Sequence, residues 1–383
     1  MTKNYPYRLL TPGPVPLHPE VRKILAEPML HHRTPEFKRV LKNVSEKLKD
    51  VFETKQPVFM HTSTGTGAME SAIVNTLSPG DDVLVVVSGK FGERWADMVK
   101  QFGLNVHPLL VEWGNAVDPQ EIEKQLALHP TIKAVFSQYC ETSTATVHPI
   151  RDIASIVRKR SETLLIVDAI TAVGAMELKM DEWGLDVVIG GSQKAFMLPT
   201  GLSFIALSEK AWGFNQKSRL PKYYWDLRTE KKSLEKGETH FSSAVATIRA
   251  LEISLQFLTG EQKTQTLARI KKLAKATREM SKPLGLQIYS KFPSASVTAL
   301  LTPGEIDSQK LREHIEKEYN LTLMGGQDQL KGKILRIGHL GYITDDDMAA
   351  TTEILYLALK DLGVPLAANA REEALAALRA ELK

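Results

Sequence analysis

Short runs of Val, Ile and Leu recur through the first half of the chain, and most are separated by stretches with helical spacing. The runs are Val58 to Met60, Val83 to Val87, Val106 to Val111, Ala134 to Phe136, Leu164 to Val167, Val187 to Ile189 and Leu202 to Leu207. Between them Ala68 to Leu77, Glu93 to Gln101, Pro119 to Leu128 and Ile150 to Lys159 place apolar residues three and four apart, as one helix face requires. Strands that are apolar almost throughout are buried on both sides, and helical crossovers between them give a parallel sheet. The pattern therefore predicts an α/β domain with a mostly parallel seven-stranded sheet covered by helices. Two helices precede it, one starting near Pro19 and one running from Pro35 to about Phe52.

The pattern changes near residue 260. A Lys-rich helix (Thr264 to Met280) leads to short strands near Leu286 to Tyr289 and Ser296 to Leu301. A helix at Ser308 to Tyr319, a strand at Ile334 to Gly338 and a helix at Thr344 to Leu362 follow. This reads as a smaller α+β domain. Residues 1–18 read as an extended arm with no regular structure, because Pro12-Gly13-Pro14-Val15-Pro16 cannot sustain a ladder or a helix. The expected division is arm 1–18, large domain 19–260 and small domain 261–383. Ala367 to Lys383 reads as a terminal amphipathic helix.

Composition narrows the classes. The 383 residues are 43% hydrophobic and 25% charged, ordinary for a globular protein, with a net charge of +4. That charge is too small to argue for nucleic acid as a partner. No apolar run is long enough to span a membrane, and Met1 to Arg8 lacks the apolar core of a secretory leader. The one cysteine, Cys140, permits no intrachain disulfide, so a cytoplasmic setting is expected.

The chemistry concentrates just beyond strand ends, where open α/β sheets bind ligands. Val187-Val188-Ile189-Gly190-Gly191 runs into Ser192-Gln193-Lys194, and the strand before it ends at Asp168. A strand-end carboxylate followed by a strand-end lysine is how pyridoxal phosphate is held. The lysine forms the Schiff base, and the carboxylate keeps the pyridine nitrogen protonated. Thr62-Ser63-Thr64-Gly65-Thr66-Gly67 follows a strand and opens a helix, offering backbone N–H groups to a phosphate. It has no lysine of a nucleotide-binding P-loop. Phe91 could stack on a planar ring, and Arg336, in an apolar strand, could grip a carboxylate with paired bonds. His31-His32-Arg33 is basic, but adjacent histidines are no metal signature, and no metal is expected.

Taken together these segments resemble the class V aminotransferases, a branch of the fold-type I pyridoxal phosphate enzymes, and among them the alanine–glyoxylate and serine–glyoxylate enzymes. Leu10-Thr11-Pro12-Gly13-Pro14, Gly65 to Glu70, Phe91 to Arg94, Glu141 to Thr144, Val167-Asp168-Ala169, Gly191 to Lys194 and Leu335 to Gly338 carry the likeness, in family order. The resemblance implies Lys194 and Asp168 as the catalytic pair. It implies that Thr64, Gly65, Thr66 and Gln193 hold the phosphate, that Phe91 stacks on the ring and that Thr142 bonds the ring hydroxyl region. Arg336 and Gly13 would bind substrate. It also implies a homodimer in which Ser242 reaches the partner's phosphate. Many relatives have Thr-Pro where this chain has Ser242-Ser243.

The expected reaction is a two-stage transfer from alanine or serine to glyoxylate or pyruvate, with an aspartate- or aminophosphonate-type donor as the alternative. A lyase or desulfurase, or a binding-only subunit, is the rival reading. Cys140 lies close after a strand rather than on a long loop, which disfavours a desulfurase. Some similar proteins carry a soluble hydrogenase label, which one cysteine cannot support, since it cannot ligate a nickel–iron or iron–sulfur centre.

Overall fold

The seven apolar runs pair into one sheet in the computed structural model, which describes residues 5–304 and 306–383. The strands are β1 (Val58–His61), β2 (Asp82–Val87), β3 (Asn105–Leu110), β4 (Ala134–Gln138), β5 (Leu164–Asp168), β6 (Val187–Gly191) and β7 (Ser203–Leu207). Their spatial order is β1-β7-β6-β5-β4-β2-β3. All pairs are parallel except those of β7, which is antiparallel to β1 and β6.

Side-chain alternation feeds two cores. Leu84, Val135, Leu165 and Val188 point to one, with Phe37, Leu41, Val44 and Ile153 from helices on that side. Val85, Phe136, Ile166 and Ile189 point to the other, with Met69, Ile73, Trp95 and Val99. Both faces of the central strands are dry, which explains why they lack polar alternation, whereas the edge strand β3 is exposed or half-buried throughout. The helix Pro35–Phe52 keeps its expected bounds because Thr34 caps Phe37 N and proline occupies its first position.

A second sheet is built from β8 (Gln287–Ile288), β9 (Val297–Leu301), β10 (Met324–Gly325) and β11 (Ile334–Gly338), in the order β8-β9-β11-β10. Helices Gly260–Ser281, Ser308–Tyr319 and Asp345–Asp361 cover it around Leu273, Leu311, Ile337 and Leu355. Residues 1–4 of the arm lie outside the described residues.

The arm is not wholly irregular, which corrects the expectation drawn from its prolines. Arg8–Leu9 forms a two-residue strand parallel to Leu321–Thr322. These two residues precede the proline cluster, so their backbone N–H groups are free to pair with an exposed edge. Leu10 then joins the small-domain core, and its carbonyl accepts from Gly338 N at 2.8 Å. A Cβ at Gly338 would meet the Thr11 carbonyl at 2.1 Å, so only glycine lets the arm pass. The sequence pattern also left unassigned the helices Glu209–Lys217, Leu227–Leu234 and Val245–Ser254.

Candidate active site

The last residues of β5 and β6 and the turn after β6 meet at the carboxyl edge of the sheet. Lys194 follows β6 and is 8% exposed. Its Nζ donates to the Pro12 carbonyl at 2.7 Å. Burial pulls its pKa down to about 8; Asp168 opposes this and Arg336 reinforces it. A buried lysine of this kind is neutral over an accessible pH range and can move protons. A Cβ at Gly13, whose φ is +136°, would come within 2.5 Å of Nζ. The arm therefore approaches the lysine as only glycine permits.

Asp168 ends β5, and its Oδ1 accepts from Ile170 N at 3.0 Å. Burial raises its pKa to about 6, and Lys194, Arg94 and Trp95 act against the rise. The Trp95 indole N–H has no full hydrogen-bond partner.

The segment Thr62 to Gly67 follows β1 and opens a helix, as expected. Helix α1 (Gly65–Thr76) begins earlier than its apolar spacing indicates, so Gly65 and Thr66 form its first turn. Thr64 is its N-cap and makes no side-chain capping bond, leaving its hydroxyl available. Ile170 joins this turn to the others: a Cβ at Gly65 would meet Ile170 Cδ1 at 2.5 Å, and one at Gly191 would meet Ile170 Cγ2 at 3.3 Å. Gln193 Oε1 is buried without a partner. Arg94 reaches Thr66 Oγ1 at 3.4 Å and lies 4.8 Å over the Phe91 ring.

Phe91 sits in the first turn of α2 (Lys90–Gln101), which starts ahead of the expected Glu93. Glu141 fixes that turn. Its buried carboxylate accepts from Phe91 N at 3.1 Å, Gly92 N at 3.0 Å and Ser143 N at 3.1 Å. An anion at a helix N-terminus is electrostatically favoured. Thr142 shares a 2.7 Å bond with Thr171 through their hydroxyls. Its carbonyl accepts from Arg336 Nη1 at 3.0 Å, while Arg336 Nε donates to Gly325 at 3.0 Å. Arg336 is 3% exposed, and burial lowers its pKa to about 10.

Lys194, Asp168, Gly13, Gly65, Gln193, Thr142 and Arg336 are thus brought together around one edge, with Thr66 and Phe91 joined to it through Arg94 and Glu141. Ser242 is not. It is exposed and lines a small pocket with Met60, His61, Thr62 and Tyr224, sharing no hydrogen bond with the residues above. His31 and His32 stack on each other with centroids 4.4 Å apart, and Arg33 is tied to Glu238 at 2.5 Å. Cys140 is buried, its thiol donates to Ser294 at 3.3 Å, and burial pushes its pKa up to about 12. A buried thiol with a raised pKa is poorly suited to act as a mobile nucleophile. A cleft of about 920 Å³ near Tyr139, His148 and Phe292 is lined by none of these predicted site residues except through their chain neighbours.

Sequence reasoning missed four residues of this edge: Glu141 as a clamp, Thr171, Trp95 and Gln138. Gln138 ends β4 fully buried, with neither side-chain oxygen nor nitrogen hydrogen-bonded. Orphaned amide atoms of Gln138 and Gln193, the uncapped Thr64 turn and a buried amine facing a strand-end carboxylate fit a polar, phosphate-bearing ring compound such as pyridoxal phosphate. Among the described residues no group of three or more His, Cys, Asp or Glu is placed to hold a metal, and no helix is long and apolar enough to cross a membrane.

Comparison with known proteins agrees. The family model described as aminotransferase class-V matches residues 19–350. The chain is similar to the soluble hydrogenase 42 kDa subunit of Anabaena cylindrica, at 39% identity over 93% of this chain and 94% of that protein. It is similar to L-aspartate–glyoxylate aminotransferase of Paracoccus denitrificans, at 34% identity over 96% of this chain and 94% of that one. Among solved structures, ureidoglycine–glyoxylate aminotransferase from Bacillus subtilis matches with a TM-score of 0.93, covering 100% of both chains at 27% identity.

Proposed function

The chain belongs to the class-V aminotransferase family, is a pyridoxal phosphate-dependent enzyme, and on that premise we propose that it moves the amino group of alanine or serine to glyoxylate or pyruvate. The observation that carries the reading is Lys194: a buried amine, kept partly neutral, between Asp168 and the arm. Bound there, pyridoxal phosphate supplies the carbonyl that receives the amino group and a ring that withdraws electrons from the substrate Cα.

The chain's own residues do the rest. Lys194 Nζ, once freed, takes the proton from the substrate Cα and returns it one position along. Asp168 remains anionic opposite the ring nitrogen. Thr64, Gly65, Thr66 and Gln193 hold the phosphate, joined by Ser242 of the partner subunit in a homodimer. Phe91 stacks on the ring, and Thr142 bonds its hydroxyl side. Arg336 binds the substrate carboxylate, and Gly13 leaves room beside Lys194.

Support for the dimer comes from Ser242, which lies off its own chain's site, and from exposed Tyr223 and Tyr224 nearby, 81% and 44% exposed. Support for a small neutral donor comes from Arg33, the candidate second cation, whose charge is engaged by Glu238. The name of the Paracoccus relative makes an aspartate donor the second reading. The hydrogenase name of the Anabaena relative is not carried over, because one buried cysteine cannot ligate a redox cluster. The domain division at about residue 260 and a cytoplasmic setting complete the proposal.

The test is the visible spectrum of the purified protein. A band that bleaches with alanine or serine and returns with glyoxylate or pyruvate is expected. A band that aspartate bleaches and neither alanine nor serine touches would replace the donor. A band that no amino acid bleaches would overturn the transfer.

A further inference from the structure

Gln138 and Asp168 are register partners on neighbouring parallel strands, β4 and β5. Strand alternation puts them on the same face, above Phe136 and Ile166, which pack with Trp95 in one core. Adjacent strands lie about 4.8 Å apart, so a glutamine amide reaches a neighbouring carboxylate. Gln138 is fully buried, yet its Oε1 and Nε2 have no partner. Its Oε1 lies beside Gly92, where an added Cβ would be 3.4 Å away. A buried amide with nothing to bond is costly to keep, and the strand register places the Asp168 carboxylate on the same face as a ready acceptor.

We propose that Gln138 is a positioning residue: its Nε2–H donates to the Asp168 carboxylate in the loaded enzyme and holds it ionised against the cofactor's ring nitrogen. This rests on the assignment of Asp168 made above. The groups facing Asp168 are Lys194 from the turn after β6, Arg94 and the Trp95 indole from α2, and Cys140 and Glu141 beyond β4. Two cations favour the carboxylate, whereas Glu141 and burial oppose it. An amide donor adds to the favouring side without adding charge, which suits a site that must also admit an anionic substrate.

The test is the affinity of apoprotein for pyridoxal phosphate from pH 5.5 to 8.5, read by quenching of tryptophan fluorescence, for wild type, Gln138→Leu, Gln138→Glu and Asp168→Asn. Loss of a bond to a charged group moves a carboxyl by about one pH unit. Gln138→Leu should then bind roughly threefold more weakly than wild type at pH 5.5 and nearly equally at pH 8.5. Gln138→Glu, nearly isosteric, should move the midpoint further up, and it keeps the test open if the leucine variant does not fold. A loss equal at every pH would mean that Gln138 touches the cofactor itself, and would overturn the route through Asp168. Unchanged profiles in both variants would overturn the proposal outright. If Asp168→Asn keeps wild-type affinity and profile, the assignment of Asp168 fails instead.

Discussion

Lys194 and Pro12 lie 182 residues apart, and the lysine Nζ donates to the proline carbonyl at 2.7 Å. The bond ties the N-terminal arm, which is anchored in the small-domain core by Leu10, to the strand-end amine of the large sheet. The arm therefore helps to fix where the amine rests.

Burial of Lys194 costs stability whenever it is charged. Its folded pKa of about 8 lies below the unfolded value of 10.5, so the penalty is complete below pH 8 and fades as pH rises toward 10.5. At 1.36 kcal/mol per unit the penalty is about 3 kcal/mol. Lys194→Met apoprotein should therefore be the more stable at pH 7, and the gap should shrink between pH 8 and 10.5. Denaturant unfolding of both proteins across that range checks it; a constant gap would show that burial does not shift the pKa of the amine.

Lys194→Ala should lower transamination by at least about a thousandfold, since both proton transfers lose their base. Single-turnover assays with alanine measure this. Turnover near wild type would remove Lys194 from the chemistry.

Asp168 titrates near pH 6, above the ordinary 3.8, because burial favours the neutral acid. With the carboxylate as the proposed working form, kcat/KM should fall as pH drops below about 6. Asp168→Asn should lose that acidic limb and about a hundredfold in rate at pH 8. A variant that keeps the limb would assign it to another group.

Arg336 holds two carbonyls, Thr142 and Gly325, through Nε and Nη1. Arg336→Lys cannot reproduce that fork. KM for the amino acid should rise at least about tenfold while the cofactor band persists. An unchanged KM would place the substrate carboxylate elsewhere.

Gly13→Ala would put a methyl within 2.5 Å of Lys194 Nζ at a φ of +136°. Lysine must shift or the arm must open. At least about a tenfold loss of kcat is expected, with an altered pH dependence of the cofactor band. A silent substitution would show that the arm is free to move away.

Much of the fold was legible because burial on both faces forces the central strands to be apolar almost without interruption, although the edge strand β3 carries His107 and Pro108. Each of the seven runs became a strand of the sheet, and Pro119–Leu128, Pro35–Phe52 and Ser308–Tyr319 kept their bounds through proline starts or Asp and Thr caps. Arg8–Leu9 was misread because its pairing edge, Leu321–Thr322, lies over 300 residues away. The start of helix α1 at Gly65 was placed too late, at Ala68, because a glycine-rich first turn carries no apolar spacing to mark it.

At the site, Lys194, Asp168, the Thr64 turn and Arg336 stood out by residue type at strand ends and helix starts. Gln138 did not, because a glutamine closing a strand looks like any polar end meeting water. Only the pairing of β4 with β5 sets it beside Asp168 and removes its solvent. The sequence by itself determined the strands of the large sheet, the helices with clear apolar spacing or caps, and the candidate side chains at strand ends, since these follow from local pattern and residue type. Tertiary structure alone decided strand order, the Pro12–Lys194 bond, the Glu141 clamp on Phe91 and the orphaned amide of Gln138. These depend on burial and on contacts across long separations, and no local pattern encodes either.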